Sequence, residues 1–527
     1  MLRWGLRTGI EARPVRDFSC GGMRMPSLEL GALAAAVPGG RLAGALATPI
    51  TGIAYDSRRV RPGDLFCAVK GFVHDGRAFV PEAVGRGAAA VLVGLPGLEA
   101  DPGVPVLLVP DDRWAMALAA AEFFGHPSQR LALIGVTGTN GKTTTTHLIR
   151  AVLQAAGAQV GLMGTIHTLI GDEELPVVHT TPEAPDLQEL LARMVAAGCT
   201  HAVMEVSSHS LELGRVGGCE FAAAALTNVT QDHLDFHKTM EAYWQAKAKL
   251  FAVLGTGGGA QAPRWPGLAA FNADDPTNSR VARFCRVPAV WYGQAATADV
   301  RAGDIRVEHD GVAFTVTVAG QTLPVRLRLT GRFNVANALA ALAVTCGLGV
   351  PAVTAVGALE AVRGVPGRFE RVDAGQDFTV IVDYAHTPDG LENVLGTARE
   401  IAAGRLWVVF GCGGDRDRGK RPLMGAIAAR LADRLVLTSD NPRSEDPEAI
   451  LRDIAAGIPV DAAAHASVVA DRRAAIAAAL AGARAGDVVV VAGKGHETYQ
   501  VFADRTVPFD DRQAIRDALA ELGWSGG

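Results

Sequence analysis

Leu131-Ala-Leu-Ile-Gly-Val-Thr-Gly-Thr-Asn-Gly-Lys-Thr-Thr-Thr-Thr146 is the stretch around which the chain is organised. Its first part, Leu131 to Val136, is an apolar run typical of a buried strand, and Thr143 to Ala156 has the apolar spacing of a helix. A strand, a glycine-rich loop ending in Lys-Thr, and a helix together predict a phosphate-binding loop. In such a loop Lys142 reaches the outer phosphates and the Thr143 hydroxyl ligates Mg²⁺.

The first glycine of this loop is displaced by one position from the usual G-x-x-x-x-G-K-[ST] pattern. Val136 stands where that glycine is expected, with Gly135 before it and Gly138 after it. The alternative is a chance glycine-rich turn, but Gly-Lys-Thr-Thr between a strand and a helix argues against it. The sequence therefore predicts a nucleoside triphosphate site whose loop has an altered spacing.

Composition describes a soluble globular protein. The chain has 527 residues, of which 49% are hydrophobic and 20% charged, so it can form a large core. The net charge of −5 argues against general nucleic-acid binding, so we expect no nucleic-acid partner. Seven scattered cysteines without a Cys-x-x-Cys pair predict free thiols in a reducing compartment, which for this chain we take to be the cytoplasm.

The first 25 residues are rich in arginine and lack the apolar stretch of a signal peptide. No apolar run along the chain has transmembrane length, so we expect no membrane partner. We predict that residues 1–26 form a loose tail, and Met1, Met23 and Met25 remain alternative starts.

The rest of the chain alternates apolar runs with helical stretches and predicts three α/β domains, at residues 27–128, 129–362 and 363–527. The middle domain should contain a mostly parallel sheet that binds its ligand at the carboxyl ends of the strands. Within it, the period-two pattern from Ile305 to Leu329 predicts a hairpin that turns at Asp310-Gly311. The last domain is predicted to be Rossmann-like, and the Gly- and Pro-containing segment Val362–Glu370 at its start to be a hinge.

Several polar residues follow predicted strands of the middle domain. Glu205 ends one of these strands and is well placed to ligate Mg²⁺, which prefers oxygen ligands. His233 follows another, and by itself it could equally cap a loop. Lys247 lies on a helix predicted from Met240 to Val253, where a solvated lysine is the simpler interpretation.

Polar loops also follow strands of the last domain. Asp383-Tyr-Ala-His-Thr-Pro388 could contact a nucleotide or cap a helix. The cationic loop Gly413-Gly-Asp-Arg-Asp-Arg-Gly-Lys-Arg421 could be a ligand site or a solvated run of charge. Asp440-Asn-Pro-Arg443 and Gly493-Lys-Gly-His-Glu497 occupy the same kind of position. Because the carboxyl ends of parallel strands meet at one edge of a sheet, we expect the last three loops to face a single pocket.

Taken in the order in which they occur along the chain, these motifs resemble those of the Mur ligase family. The resemblance covers about residues 27–520 and explains the displaced glycine, because the loop of the family reads G-T-N-G-K-T-T. Further matching motifs are Thr180-Thr-Pro182, Glu205-Val-Ser-Ser-His209, Asn228 to His237, Ala246-Lys247, Asn272-Ala-Asp-Asp275, Gly331 to Asn337, Asp383-Tyr-Ala-His386 and Gly413-Gly-Asp-Arg416, followed by the Asp440 and Gly493 loops.

The resemblance implies a three-domain enzyme with a UDP-binding first domain, an ATP-binding middle domain and an amino-acid-binding last domain. Within the family, the chain is similar to the members that use ATP to add meso-diaminopimelate to UDP-N-acetylmuramoyl-L-alanyl-D-glutamate. These members form an acyl phosphate and act in peptidoglycan synthesis. Such an enzyme is expected to work as a monomer on small molecules. Alternatives are a lysine-adding member, a ligase like folylpolyglutamate synthase, and a nucleotide-binding protein without activity. Intact Lys142, Glu205, His233 and Lys247 argue against the last.

The resemblance also implies a role for individual residues. Lys142, Glu205, His233 and Lys247 would be catalytic, and Mg²⁺ would be held by Thr143, Glu205, His233 and a carbamylated Lys247. The expected ATP contacts are Gly138, Thr139, Asn140, Gly141, Lys142, Thr143, Thr144, Asn272, Asn334, Asp383 and His386. The expected contacts to the UDP-muramoyl dipeptide are Tyr55, Ser57, the Phe72–His74 segment, Thr180, Thr181, Ser207, Leu213 and Arg215. The expected diaminopimelate contacts are Arg416, Asp440, Asn441, Pro442, Arg443, Gly493 and Glu497.

Overall fold

A computed structural model describes residues 27–71, 74–171, 173–177, 179–256, 263–308 and 310–524. The predicted tail over residues 1–26, as well as Phe72 and Val73 of the expected sugar contact, lies outside these ranges. Within the ranges, no helix has both the length and the apolar character that crossing a bilayer requires. Most of the described strands belong to three large sheets that follow one another along the chain.

The first sheet has five strands in the order β2-β7-β6-β5-β4, with β4 to β7 parallel. The strands of this unit are Leu28–Glu29 (β1), Arg41–Ala43 (β2), Pro49–Ile50 (β3), Gly52–Ala54 (β4), Asp64–Ala68 (β5), Ala90–Gly94 (β6) and Val106–Val109 (β7). The helices are Leu30–Ala35 (α1), Val80–Gly85 (α2) and Asp112–Phe123 (α3). The Asp111 side chain caps α3 by accepting a hydrogen bond from the Trp114 N–H, which fixes where this helix begins.

The middle sheet has eleven strands in the order β11-β10-β9-β12-β8-β13-β14-β15-β16-β17-β18. They are Ala132–Thr137 (β8), Val160–Met163 (β9), Thr168–Ile170 (β10), Glu173–Leu175 (β11), His201–Glu205 (β12), Ala223–Leu226 (β13), Ala269–Asn272 (β14), Ala289–Gly293 (β15), Val300–Glu308 (β16), Gly311–Val318 (β17) and Gln321–Leu327 (β18). In the order of the sheet, the central strands β9, β12, β8, β13, β14, β15 and β16 pair in parallel, as predicted. Antiparallel strands extend both edges, β10 and β11 at one and β17 and β18 at the other.

Helices cover both faces of the middle sheet. They are Lys142–Ala155 (α4), Ala184–Ala196 (α5), Ser208–Glu212 (α6), Leu234–His237 (α7), Met240–Ala252 (α8), Pro276–Ala282 (α9), Arg332–Gly347 (α10) and Ala352–Ala361 (α11). On one face α4 packs against α10 and α11 over a buried apolar core. This packing holds the amino end of α4, and with it the phosphate loop, at the carboxyl end of β8.

The last sheet has six strands in the order β19-β20-β24-β21-β22-β23, and all but β19 are parallel. The strands are Glu370–Val372 (β19), Thr379–Asp383 (β20), Leu406–Phe410 (β21), Arg434–Leu437 (β22), Ala466–Val468 (β23) and Val488–Ala492 (β24), and the hairpin Tyr499–Val501 (β25) and Thr506–Pro508 (β26) follows. The helices are Pro388–Ile401 (α12), Lys420–Leu431 (α13), Pro447–Ala455 (α14), Arg472–Gly482 (α15) and Asp511–Glu521 (α16).

The prediction of a single hairpin needs correction. The period-two region forms three strands, β16 to β18, because Ala319-Gly320 makes a second turn at positive φ after the predicted turn at Asp310. The segment predicted as a hinge contains a bridge between Val365 and Arg368 and places side chains in the site described below. Whether it also acts as a hinge stays a prediction, as do the domain boundaries.

Candidate active site

The phosphate loop joins β8 to α4 in a conformation that only glycine adopts easily at two points. Gly138 has φ of 145° and Gly141 has φ of 85°, both in the region that side chains disfavour. A Cβ on Gly138 would lie 1.8 Å from the Thr227 hydroxyl, which donates to the Asn140 carbonyl at 2.6 Å. Because Thr227 lies so close, only glycine fits at position 138, which accounts for the displaced glycine of the loop.

Lys142 bends back over this loop. Its ammonium donates to the Gly138 carbonyl at 2.9 Å and to the Thr139 carbonyl at 2.7 Å. Burial lowers its pKa, and the charge of Glu205 opposes this effect. The ammonium is thus held over the loop, whose N–H groups favour an anion, and its contact with phosphates stays a prediction.

Thr143 and Glu205 meet at the floor of the cavity. The Thr143 hydroxyl donates to the Glu205 carboxylate at 3.0 Å, and the Thr165 N–H donates to the same oxygen at 2.8 Å. The Thr165 hydroxyl donates to the other oxygen of Glu205 at 3.1 Å and lies 3.0 Å from the Thr180 hydroxyl. Two predicted metal ligands, Thr143 and Glu205, are therefore adjacent and present oxygen atoms.

Lys247 is fully buried on α8. Its ammonium donates to the Gly138 carbonyl at 2.8 Å and lies 4.4 Å from the centre of the Tyr243 ring. Burial and the nearby charge of Lys142 hold the pKa of Lys247 well below its usual value, against the attraction of Asp232. The interpretation of Lys247 as a solvated lysine is therefore wrong, and the side chain belongs to the loop.

His233 lies beside a carboxylate that sequence reasoning did not single out. Its Nε2 is 3.1 Å from an oxygen of Asp232, and its ring packs edge-on against His209 at 4.7 Å. Burial lowers the pKa of His233 to about 3, so the ring is neutral and could bind a metal ion. Asp232 itself is buried and lines the cavity.

The last unit closes this cavity, which has a volume of about 230 Å³. The Arg368 guanidinium donates to the Thr143 hydroxyl at 2.8 Å and stacks over the Tyr384 ring at 4.7 Å. Asn140 of the loop donates to the Asp389 carboxylate at 2.5 Å. Of the predicted nucleotide contacts, Asp383 and His386 line the cavity.

The remaining predicted ATP contacts are divided. Gly138 to Thr144 all line the cavity. Asn272 and Asn334 are buried but do not line it, and their side-chain amides donate to the main-chain carbonyls of Thr227 and Thr330 at 3.0 and 2.9 Å. Because these amide donors are used within the fold, nucleotide contact by Asn272 and Asn334 stays a prediction.

The predicted dipeptide contacts fall into two groups. The Thr181 hydroxyl donates to the Glu205 carbonyl at 2.9 Å, the Ser207 N–H donates to that hydroxyl at 3.1 Å, and Arg215 donates to the Thr181 carbonyl at 3.1 Å. Thr180 and Ser207 line the cavity. Leu213 is the residue that directly follows α6.

The other group, in the first unit, makes internal contacts. The Tyr55 hydroxyl donates to Asp186, and the Ser57 hydroxyl donates to Glu82 at 2.8 Å. Tyr55 therefore connects the first unit to α5 of the middle unit. Contact of Tyr55 and Ser57 with a sugar nucleotide stays a prediction.

The predicted amino-acid loops do meet at one edge of the last sheet. Asn441 donates to Glu497 at 2.9 Å, and the Arg443 guanidinium donates to the Gly414 carbonyl at 2.8 Å. Lys494, which is buried, donates to the same oxygen of Glu497 at 2.8 Å. The charge of Glu497 is thus already matched by Lys494.

Arg443 differs from Glu497 in that its charged group is in no ion pair within the described ranges, although Asp440, Glu497 and Asp415 lie near enough to act on its pKa. It lies in the left-handed region, with φ of 53°, and its N–H donates to the Val501 carbonyl at 3.0 Å. Burial and the charge of Arg416 lower the pKa of Arg443. Among the described residues it forms no ion pair, so its guanidinium remains available to an anionic ligand. Asp440, Pro442 and Gly493 lie in the same loops, and a Cβ on Gly493 would lie 2.5 Å from the Asp440 carboxylate.

A buried ion pair supports the Gly493 loop from below. Arg472 and Asp511 have no exposed side-chain surface and form a bidentate pair at 2.7 Å. Arg472 also donates to the Ala492 carbonyl at 3.0 Å.

We expect Asp511→Ala to destabilise the protein by roughly 3–5 kcal/mol, because it leaves a buried guanidinium unpaired. Urea unfolding of the full chain measures this. The control is the exposed ion pair of Arg473 with Asp517, on the same two helices. Arg473→Ala should cost roughly 0–1 kcal/mol. Equal losses would contradict the argument.

Sequence reasoning missed several residues of the site. Lys494 lies inside a motif that was singled out, and Asp232 directly precedes His233, so both could have been found. Arg368 lies in the segment predicted as a hinge, and Thr165 and Asp389 lie outside the matched motifs. These last three act across long separations in sequence, which local patterns do not reveal.

Sequence models of one family match most of the chain. The Mur ligase middle domain matches residues 136–345, the Mur ligase glutamate ligase domain matches residues 367–495, and the Mur ligase family catalytic domain matches residues 49–123. The chain belongs to the Mur ligase family. The first matched range of this Mur ligase contains the phosphate loop, the second contains the Gly413 and Asp440 loops and the Gly493 loop as far as Gly495, and the third contains Tyr55.

Individual relatives of this Mur ligase are similar over nearly their whole length. The UDP-N-acetylmuramoyl-L-alanyl-D-glutamate--2,6-diaminopimelate ligase of Geobacillus thermodenitrificans is 50% identical over 472 residues, which is 90% of this chain and 95% of the relative. A solved structure of a ligase with the same name is 36% identical, with a TM-score of 0.63 over 91% of this chain and 97% of that chain. The MurF ligase of Thermotoga maritima, solved with ADP, is 19% identical with a TM-score of 0.60, over 89% of this chain and 97% of that chain, and shows the fold alone.

Proposed function

We propose that this Mur ligase joins meso-diaminopimelate to UDP-N-acetylmuramoyl-L-alanyl-D-glutamate at the expense of ATP, in peptidoglycan synthesis. The observation that carries the proposal is the 50% identity, over 90% of the chain, to a ligase of that name. The geometry supports it, because the phosphate loop of the middle unit faces the amino-acid loops of the last unit. Tyr384 lies between them, under Arg368 and 3.5 Å from Glu497.

The reaction takes place in two steps. The D-glutamate side-chain carboxylate attacks the γ-phosphate of ATP, the bond from the γ-phosphorus to the β–γ bridging oxygen breaks, and an acyl phosphate forms as ADP leaves. The amine of diaminopimelate then attacks the acyl carbon, and phosphate leaves as the amide forms. Because two anions meet in the first step, positioning and charge neutralisation provide most of the catalysis. Lys142 supplies a cation at the phosphate loop, and Arg368 supplies a second from the last unit.

We also propose that the cavity holds Mg²⁺. Thr143 and Glu205 present oxygen atoms 3.0 Å apart, the ligand type that Mg²⁺ prefers, so these residues fit the ion. No group of three His, Cys, Asp or Glu side chains in the described ranges is arranged to hold a metal ion. The remaining ligands would be His233, a carbamylated Lys247 and the phosphates of the nucleotide. When bound, the ion would neutralise the charge that develops on the phosphates.

The closed arrangement of the last unit supports a further role. An acyl phosphate is hydrolysed if water reaches it, and Arg368 and Asp389 close the cavity by binding Thr143 and Asn140. We propose that this arrangement protects the intermediate until the amine arrives. We also propose that the enzyme works as a monomer in the cytoplasm and supports cell shape and division through its product.

Product analysis tests the function. The purified chain is incubated with ATP, Mg²⁺ and the UDP-muramoyl dipeptide, and with meso-diaminopimelate, L-lysine or L-glutamate in turn. We expect phosphate release and a new amide, measured by mass spectrometry, with diaminopimelate only. Lys142→Met is the control and should release no phosphate, because the cation at the loop is lost. A product with lysine instead would assign a lysine-adding ligase. If a folate replaces the dipeptide and glutamate is added to it, the chain would be a different ligase.

A further inference from the structure

Two of the predicted amino-acid loops are held together along their main chains. The Gly413 loop (residues 413–419) follows β21, and the Asp440 loop (residues 440–446) follows the neighbouring strand β22. The Gly414 N–H donates to the Asn441 carbonyl at 2.9 Å. A Cβ on Gly414 would lie 1.9 Å from the Pro442 carbonyl oxygen, so the two loops meet without space for a side chain between them.

Each of these loops carries a cation that the family resemblance assigns to the amino-acid substrate. The cations are Arg416 in the Gly413 loop and Arg443 in the Asp440 loop, and both lie close to Gly413. A Cβ on Gly413 would lie 2.8 Å from a guanidinium nitrogen of Arg443 and 3.7 Å from the Cγ of Arg416. Because like charges on neighbouring loops repel each other, the fold has to hold the loops together against that repulsion.

Glu445 of the Asp440 loop provides this link. Its carboxylate accepts a hydrogen bond from the Asp415 N–H at 2.6 Å and pairs with Arg418 at 2.7 Å, both in the Gly413 loop. The same carboxylate pairs with Arg421 of α13 at 2.9 and 3.1 Å. Arg421 has no exposed side-chain surface, and it also pairs with Asp453 of α14 at 2.8 Å. The link between the loops is therefore fixed to a buried guanidinium.

A second set of bonds runs in the opposite direction. The Ser444 hydroxyl and N–H donate to the two oxygens of the Asp415 carboxylate, at 2.6 and 3.2 Å. Asp415 and Arg443 both have φ of 53°, in the region that side chains disfavour. A backbone in that region persists only where its surroundings hold it. The paired loops therefore fix the main chain at Arg443 and directly before Arg416.

We propose that Glu445 is a positioning residue that sets the distance between Arg416 and Arg443, and thereby the affinity for an amino acid with a distal carboxylate. This inference rests on the proposed function. Two guanidinium groups held at a fixed separation fit the carboxylates of a ligand in one arrangement only. A misplacement of about 1 Å at such a site can cost roughly 10²-fold in rate. Glu445 touches no substrate in this role and acts through the loops that it joins.

Loosening the two loops should affect one chemical step and not the other. In the proposed reaction the acyl phosphate forms before the amine of the amino acid attacks. The last unit contacts the phosphate loop through Arg368 and Asp389, which lie outside both loops. Displacing Arg416 and Arg443 should therefore weaken amino-acid binding and leave acyl phosphate formation unchanged, whereas a general loss of structure would impair both.

The first experiment separates the two steps in Glu445→Gln. The amide keeps the size of the side chain but removes the charge that binds Arg421. With ATP, Mg²⁺ and the UDP-muramoyl dipeptide, we expect the KM for meso-diaminopimelate to rise roughly 10²-fold while kcat is largely kept. Without amino acid, trapping of the acyl phosphate with hydroxylamine should give the hydroxamate at the wild-type rate. The preference for meso-diaminopimelate over L-lysine, measured as the ratio of kcat/KM, should fall, because lysine has no distal carboxylate.

Three further variants complete the test. Ser444→Ala removes one exposed hydroxyl of the link and leaves every buried charge paired, so it tests the same role even where Glu445→Gln does not fold. We expect it to raise the KM for meso-diaminopimelate by a smaller factor. Glu445→Asp keeps the charge and should recover part of the affinity. Glu448→Gln removes the next glutamate along the chain, which is exposed, and as the control it should keep the wild-type KM.

Two results would overturn the inference. The first is an unchanged KM for meso-diaminopimelate in Glu445→Gln, or in Ser444→Ala where Glu445→Gln does not fold. The second is an equal loss of hydroxamate and amide formation with a lower unfolding temperature, which would mark a purely structural role. If the wild type forms no amide with meso-diaminopimelate, the proposed function fails instead.

Discussion

Lys247→Ala should lose activity by roughly 10²–10³-fold, the usual cost of removing one preorganised electrostatic group. The reason is the environment of the amine. Burial and Lys142 hold the pKa of Lys247 well below its usual value, which favours the neutral amine that attacks carbon dioxide, releasing a proton and forming a carbamate. The product carries a negative charge beside Lys142, so carbamylation turns a repulsion into an attraction. The carbamate nitrogen keeps one N–H, which can still donate to the Gly138 carbonyl.

Two measurements check this expectation. Incubation with ¹³C-bicarbonate should give a carbamate signal by ¹³C NMR in the wild type and none in Lys247→Ala, a result that does not depend on activity. Short carboxylates such as acetate should restore part of the activity of the variant. Lys249→Ala, which removes an exposed lysine of the same helix, is the control. Full activity of Lys247→Ala, or its NMR signal persisting, would contradict the role.

The burial of Lys247 could have been read from the sequence. Tyr243, Lys247 and Phe251 recur at four-residue spacing, which places them on one face of α8, and all three are buried. The lysine charge favoured the solvated interpretation, because an isolated lysine on a helix is usually exposed. Helical periodicity was the better guide here, since the apolar neighbours fix which face meets the core.

Local patterns predicted the strands, the phosphate loop and the polar loops of the last domain, because each depends on residues close in sequence. The strand ends Glu205 and Asp383 were placed correctly for the same reason. The contact of Arg368 with Thr143 joins residues 225 positions apart, and that of Asn140 with Asp389 joins residues 249 apart. Such contacts depend on how the units pack together, and no periodicity within one segment encodes that packing.

Glu497 illustrates a second limit. The family resemblance implies that Glu497 contacts diaminopimelate, and a carboxylate can pair with the ammonium of that substrate. In the structure Lys494 and Asn441 already bind one of its oxygens, at 2.8 and 2.9 Å. Contact of Glu497 with a substrate amine stays a prediction, and it would have to use the other oxygen. The choice between diaminopimelate and lysine should therefore depend mainly on Arg443.

Arg443→Ala should largely abolish the preference for meso-diaminopimelate over L-lysine. Diaminopimelate has a carboxylate at its distal end where lysine has none, and a guanidinium can bind that carboxylate through two parallel hydrogen bonds. Since Arg443 is partly buried and has no anionic partner in the described ranges, lysine would leave it desolvated and unpaired.

A site of this kind can discriminate by roughly 10⁴-fold or more, so the ratio of kcat/KM for the two amino acids should fall by a large part of that factor in the variant. Most of the fall should come from diaminopimelate, because only that substrate loses an interaction. Arg443→Lys should be intermediate, since an ammonium keeps the charge but not the paired geometry. Arg505→Ala removes an exposed arginine between β25 and β26 and should keep the wild-type ratio. If Arg443→Ala also keeps that ratio, Arg443 does not select the substrate, and the unpaired guanidinium needs another explanation.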